Sequence, residues 1–204
     1  IKMKTRIKTL ILALFLLGFA INTSIAQSNS EYDKVYPFSE GIAIVRLGEY
    51  ENSKYGFIDK TGNEIVSPKY QGAEKFSEGM AIVKQDYKYG FIDKTGKVIV
   101  SPTYDDARSF EEGMARVKLN GKYGYIDKTG KVAVTIEYTS AQNFSEGLAA
   151  VADENYKYGF IDKTGKVIIP LRYDGAGNRF INGKINVQFD GEWFKIDNTG
   201  KRVE

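Results

Sequence analysis

Lys88–Tyr89–Gly90–Phe91–Ile92–Asp93–Lys94–Thr95–Gly96–Lys97 decides the fold, because the chain writes this phrase five times. The other copies run from Lys54 to Asn63, Lys122 to Lys131, Lys157 to Lys166 and, in altered form, Glu192 to Lys201. A phrase returning about every 34 residues is the mark of a repeat architecture. Within each copy an aromatic–Gly–aromatic–Ile run leads into Asp-Lys-Thr-Gly and out into β-branched residues, the pattern of a hairpin. The Asp side chain suits an Asx-turn, and the Gly supplies the positive φ that ends a type I turn with a G1 bulge. The phrase therefore predicts one strand over 89–93, a turn over 94–96 and a second strand over 97–100.

Outward from the phrase, the unit has a constant grammar. Each begins at a Tyr (Tyr32, Tyr70, Tyr104, Tyr138, Tyr173) and reaches a Phe six or seven residues later. A Glu-Gly turn follows (Glu40-Gly41, Glu78-Gly79, Glu112-Gly113, Glu146-Gly147), worn to Asn182-Gly183 in the last copy. Next come a short alternating strand, a variable loop, the phrase, and a Val/Ile strand that carries Pro68, Pro102 or Pro170 in three units. Pro at those points predicts a strand end or an exposed edge. In this phase the units are 32–69, 70–103, 104–137, 138–172 and 173–204, with 27–31 as a short polar bridge.

Residues 1–26 read as a signal peptide. Lys2, Lys4, Arg6 and Lys8 form a basic start, Thr9 to Ile21 is mostly apolar, and Ser24-Ile25-Ala26 offers small residues for cleavage before Gln27. The apolar run is thirteen residues, short of the roughly 20 that span a bilayer. The whole chain carries a formal charge of +3, but without the leader's basic residues it holds 25 basic and 26 acidic side chains. That balance leaves no electrostatic footprint for nucleic acid or anionic membrane. The chain has no Cys and no His. Disulfide bracing and a lipid attached through Cys are excluded, and metal or thiol chemistry is poorly supplied. The expectation is an exported protein, periplasmic or extracellular, not lipid-anchored and without a cofactor.

The altered fifth copy predicts the faces. Ile185 and Val187 point inward between Lys184 and Asn186, so Ala43/Val45, Ala81/Val83, Ala115/Val117 and Ala149/Val151 are the equivalent inward pairs. Lys195 marks the Phe57, Phe91, Tyr125 and Phe160 column as partly solvated. The Ile58, Ile92, Ile126, Ile161 and Ile196 column is then buried, with backbone or an aromatic packed over Gly56, Gly90, Gly124 and Gly159.

These blocks resemble the bacterial WG-repeat (KWG-repeat) family over essentially all of 32–204. Phe144-Ser145-Glu146-Gly147-Leu148-Ala149-Ala150-Val151 matches its first block. Residues 157–166 match its Lys-Trp-Gly-Tyr-Ile-Asp-Lys-Thr-Gly-Lys phrase, and Ile169-Pro170-Leu171-Arg172-Tyr173-Asp174 its third block. Tyr replaces the name-giving Trp at 55, 89, 123 and 158, while Trp193 is followed by Phe194. The resemblance implies a β-repeat scaffold, often exported, with no general enzymatic activity.

The fold expected is all-β: five tandem β-meander units, each of three strands, stacked as an open solenoid-like array. A small closed five-bladed, propeller-like ring is the alternative. The polar substitutions of the fifth unit (Lys184, Asn186, Lys195, Arg202) suit an outer end. The function expected is a non-catalytic scaffold that binds a protein or glycan partner in the cell envelope. Its candidate binding residues are the phrase aromatics Tyr55, Tyr89, Tyr123, Tyr158 and Trp193, with Arg46, Tyr50, Tyr87 and Tyr156 from the variable loops. Insertions confined to one rim of a repeat protein often mark its binding face. The competing reading is a carbohydrate-active enzyme using the repeated Glu-Gly and Asp-Lys carboxylates. Its weakness is symmetry, since a catalytic pair should be unique whereas these recur in every turn. Calcium held by Asp-x-Thr-Gly turns is poorer still, with one Asp per turn beside a Lys that reads as a solvated turn residue.

Overall fold

The computed structural model describes residues 31–49 and 52–203. The predicted leader, most of the polar bridge and the candidate Tyr50 lie outside the described residues. Everything regular within them is β. The first sheet is β1 (Lys34–Val35), β2 (Ile42–Leu47), β3 (Lys54–Asp59) and β4 (Glu64–Tyr70). The second is β5 (Gly72–Ala73), β6 (Met80–Gln85), β7 (Lys88–Asp93) and β8 (Val98–Tyr104). The third is β9 (Asp106–Ala107), β10 (Met114–Leu119), β11 (Lys122–Asp127) and β12 (Val132–Tyr138). The fourth is β13 (Ser140–Ala141), β14 (Ala149–Ala152), β15 (Tyr158–Ile161) and β16 (Val167–Tyr173). The fifth keeps β17 (Gly175–Ala176), β18 (Lys184–Phe189) and β19 (Glu192–Asp197), with an Ile196–Arg202 bridge where a fourth strand would lie.

Within each sheet the strands are antiparallel neighbours in chain order. The three-stranded expectation is thus one strand short. The missed strand is only two residues long in every unit, and an alternating pattern cannot be read over two residues. The opening tyrosines also sit differently: Tyr70, Tyr104, Tyr138 and Tyr173 end the fourth strand of the preceding sheet, each opposite the aromatic of its phrase.

The phrase folds as its chemistry demands. Asp93 Oδ1 accepts from the Thr95 N–H at 2.9 Å, the Thr95 hydroxyl at 2.6 Å and the Lys97 N–H at 3.1 Å. The Gly96 N–H donates to the Asp93 carbonyl at 3.0 Å, and Gly96 holds φ +82°. A Cβ at Gly96 would also lie 2.8 Å from the Ile65 carbonyl oxygen, so the turn of the second sheet rests on β4 of the first.

The sheets stack, and four of the five hydrophobic cores lie between two of them; the other, Ala43, Val45 and Ile58, lies on the outer face of the first. Ile42, Phe57, Val66 and Tyr70 of the first sheet meet Ala81, Val83 and Ile92 of the second, with Phe76 wedged at the junction. Met80, Ile82, Phe91 and Tyr104 meet Ala115, Val117 and Ile126 around Phe110. The pattern repeats around Phe144 and Phe180. Each wedge Phe approaches the phrase aromatic of the preceding sheet edge-on: Phe57–Phe76 at 5.4 Å, Phe91–Phe110 at 5.3 Å, Tyr125–Phe144 at 4.7 Å and Phe160–Phe180 at 5.2 Å. Such pairs contribute roughly 0.5–1.5 kcal/mol each beyond the area they bury.

The Phe57, Phe91, Tyr125, Phe160 column is therefore fully buried, not partly solvated. Lys195 misled because among the described residues no sheet covers the outer face of the fifth. A single sheet exposes one face in the last copy and buries the same face in the others.

Strand contacts join consecutive sheets, and none of that extent joins the first sheet to the fifth among the described residues. The protein is an all-β, solenoid-like array of five repeats.

The in-strand Gly of the first four phrases is required by backbone. Opposite it the fourth strand takes a register shift, from Tyr104 to Val100 across Tyr89 and Phe91, so that Ser101-Pro102 bulges over Gly90. The prolines lie inside edge strands, at the bulge, where no ladder donor is lost. A Cβ at Gly90 would sit 2.4 Å from the Val100 carbonyl oxygen and 2.7 Å from Pro102 N. Backbone cannot yield as a flexible side chain does. Gly90→Ala should cost about 2–3 kcal/mol, at the upper end of overpacking, measured as the shift in urea midpoint at constant slope. A loss below about 0.5 kcal/mol, the scale of ordinary surface changes, would contradict the packing described.

Candidate functional site

The repeated carboxylates are occupied between sheets. Glu40, Glu78, Glu112 and Glu146 each accept from the backbone N–H of the next unit's turn glycine, Gly79, Gly113, Gly147 and Gly183, at 2.7–3.0 Å. Three of them also pair with the phrase lysine of that next unit: Glu40 with Lys94 at 2.9 Å, Glu78 with Lys128 at 3.1 Å and Glu112 with Lys163 at 3.3 Å. The Lys read as a solvated turn residue is thus an inter-unit partner. Glu146 lacks one because Asn198 stands in that place.

The bond to Lys94 leads in holding the Glu40 carboxyl below its usual range. At Glu78 burial pushes upward, and the Lys128 and Gly113 bonds outweigh it. The phrase aspartates are equally committed. Asp59 is lowered to about 2, chiefly by the Thr61 hydroxyl, then by the Asn63 N–H. Asp93, Asp127, Asp162 and Asp197 are lowered too, with the bond to the phrase Thr leading in each. General acid catalysis needs a carboxyl raised toward neutrality, and these move the other way. Among the described residues no group of three metal-ligating side chains gathers.

The Glu-Gly turns themselves are strained. Glu40, Glu78, Glu112 and Glu146 hold φ of 50–52° beside a positive-φ Gly, with paired bonds such as Ser77–Met80 closing two-residue hairpins. Type I′ turns of this kind favour Asn-Gly. Asn182-Gly183 is therefore the locally best version, not a worn one.

The opposite hairpin ends, between the second and third strands, form the rim. In the third and fifth units the tips are Asn120-Gly121 and Asp190-Gly191, with φ near 50° and 80°. There the Asp after the opening Tyr clamps the tip: the Asn120 N–H donates to Asp105 at 2.7 Å and the Asp190 N–H to Asp174 at 2.9 Å. The Gly48 N–H meets Asp33 likewise in the first unit. The second and fourth units carry Gln71 and Thr139 instead of that Asp, and their tips end in tyrosine. Tyr87 holds φ 62° in the place of Gly121, and Tyr156 holds φ 59°. Their rings are 81% and 69% exposed.

The remaining candidates divide. Trp193 is 55% exposed. Tyr55, Tyr89, Tyr123 and Tyr158 are half-buried, packed beside the tyrosines that end the fourth strands. Their cross-strand neighbours include cations: Arg46 faces Tyr55, the Lys84 ammonium lies 5.2 Å from the Tyr89 ring and 5.7 Å from that of Tyr87, and Lys118 lies 4.9 Å from Tyr123. The structure thus brings Tyr87 and Tyr89 together around Lys84, and leaves Tyr156 and Trp193 in separate units. Tyr36, absent from the sequence candidates, stands 6.4 Å from Tyr55. Its signal was there to find, because Glu74, Arg108, Gln142 and Gly177 hold that place in the other units.

The sequence profile described as "WG containing repeat" matches residues 29–50, 55–89, 89–123, 123–157 and 158–193. The chain belongs to the WG-repeat family. A search of the curated proteins finds no match. Among solved structures the WG-repeat chain is similar to one titled as the eukaryotic initiation factor, at 11% identity and TM-score 0.55, covering 84% of this chain and 53% of that one. BamB from Moraxella catarrhalis gives 14% identity and TM-score 0.44, with 82% and 58% covered. The WD40 β-propeller domain of Doa1 gives 11% and 0.41, with 83% and 66% covered. The chain spans little more than half the length of the first two. At this identity the likeness speaks to fold alone.

The lowered carboxyls fix a pH response. A carboxyl whose pKa is depressed by folding binds fewer protons in the folded chain, so its stabilisation is complete above the ordinary 3.8 of Asp or 4.5 of Glu. It is lost as pH falls through the folded value, about 2 for Asp59. The urea midpoint should hold steady above pH 5 and drop between about 4.5 and 2, and Asp93→Asn should flatten that slope. An unchanged midpoint down to pH 2 would remove the carboxyl bonds as contributors.

Proposed function

We propose that this WG-repeat protein is an exported, non-catalytic scaffold that binds a protein or glycan partner in the cell envelope through its loop rim. The observation carrying this reading is the strain at Tyr87 and Tyr156. A left-handed backbone costs an L-residue roughly 1–2 kcal/mol, and glycine meets the same demand at Gly121 and Gly191. Both rings are spent on solvent, so packing does not repay the cost. Backbone strain of this kind gathers where function retains it. A large ring with a polar tip is also what binding surfaces favour. Export rests on the basic-then-apolar leader of residues 1–26.

The enzyme reading is the weaker one. The carboxylates it needs already accept bonds from turn backbone and from the next unit, and Glu40, Glu78 and the phrase aspartates are shifted away from neutral pH.

Replacing both strained tyrosines separates binding from folding. Tyr87→Gly with Tyr156→Gly should hold or raise stability, by about 1 kcal/mol per site. Cosedimentation of the purified chain with isolated envelope fragments should fall several-fold. A double variant that cosediments like the parent would exclude the rim as the binding surface.

A further inference from the structure

The rim is one surface; a cleft beside it is another. Between the first and second sheets lies an open cleft of about 440 Å3, lined by Tyr36, Ile44, Tyr55, Gln71, Glu74 and Lys75 with the backbone between the last three. The corresponding place is closed at the other three junctions, and opens again only on the uncovered outer face of the fifth sheet, where Gly177, Asn186 and Lys195 line a hollow without the tyrosine pair. Ile82 and Ala150, the counterparts of Ile44 in the second and fourth units, are 2% and 3% exposed. In the third unit Arg116 fills it, donating to the Ala141 carbonyl while lying over the Tyr123 ring at 5.3 Å. Among the described residues the first junction alone pairs two aromatic rings at such an open wall, and uniqueness is what a binding site in a repeat protein requires.

We propose that this cleft binds a neutral saccharide unit, with Tyr36 and Tyr55 as the stacking platform. The two rings stand 6.4 Å apart and 40° from parallel, two faces of a shallow V. The Lys34 ammonium sits 4.5 Å from the Tyr36 ring centre and holds it in place. A sugar ring offers an apolar face for such a surface and a girdle of hydroxyls that both donate and accept. Gln71, Glu74 and Lys75 supply both kinds of partner, and the opposite charges of Glu74 and Lys75 select against a strongly ionic ligand. A peptide anchor would need a deeper apolar pocket than Ile44 alone provides. Arg46, across the strand pair from Tyr55, holds a buried Nε–H with no acceptor among the described residues.

The inference shares the binding-scaffold reading but uses none of the strained rim tyrosines. The test is calorimetric titration of the full chain with chitopentaose, maltopentaose and cellopentaose. At least one should bind saturably. Tyr36→Ala should weaken it by about tenfold or more, the loss of one stacked face, while Tyr36→Phe keeps the ring and stays close to the parent. Tyr87→Gly with Tyr156→Gly should leave the sugar titration unchanged, so a failed rim and a failed cleft give different results. Absence of saturable binding to all three sugars, or a Tyr36→Ala variant that binds like the parent with its β circular dichroism intact, would overturn the assignment.

Discussion

The structure depends on an aromatic edge meeting an aromatic face across a sheet boundary. Phe76 on Phe57, Phe110 on Phe91, Phe144 on Tyr125 and Phe180 on Phe160 are the same contact made four times. Four of the five cores belong to no single sheet. A face carrying Ile42, Phe57, Val66 and Tyr70 has nothing of its own unit to bury against, so stability resides in junctions between units, as expected of a quasi-linear array. The same constraint sets the register inside each sheet. Phe57 must face the next unit while Ile58 faces the other way, and a one-residue slip would exchange the two.

Local and global preferences conflict at the Glu-Gly turns, and the global one wins. Asn is the better residue for a left-handed first position, and Asn182 occupies it in the fifth unit. Glu in the other four accepts the strain and in return reaches the next unit's glycine N–H and, in three cases, its lysine. The ion pair itself is exposed and worth little. The bond from an otherwise orphaned N–H to a charged acceptor is the stronger half of the arrangement. Charge along this ridge is therefore mortar between repeats, which accounts for its regular recurrence without chemistry.

Much of the fold was legible because repetition multiplies evidence. One Asp-Lys-Thr-Gly hairpin is a weak signal, and five in register fix the turn, the strand pair and the period. The Gly opposite a backbone bulge was also readable, since only close approach explains a glycine inside a strand. Two things were not. A two-residue strand has no pattern, so the opening strand of each sheet stayed hidden. Lys195 gave a true report on its own face and a false one on the other copies, because burial is decided by the neighbour and not by the residue. The rim was half legible. Variation located the loops, but only the backbone reveals that Tyr87 and Tyr156 occupy a glycine's conformation, and only side-chain packing reveals that Tyr36 and Tyr55 share an unsealed junction.

In a repeat protein the informative residues are those where one copy declines to do what the others do. A feature present in every unit has a sufficient cause in the stacking that every unit shares, and the recurring Glu, Asp, Lys and Gly all find that cause here. Tyr87 breaks the rule against its own backbone, where Gly121 and Gly191 keep it. Tyr36 breaks it in side-chain type, where Glu74, Arg108, Gln142 and Gly177 line up with no aromatic among them. Neither departure improves the stacking: the first adds strain at an exposed tip, and the second borders a gap that the other junctions close. Stacking explains everything that repeats and explains neither departure, which is why the proposed recognition rests on these two places and stability on the rest.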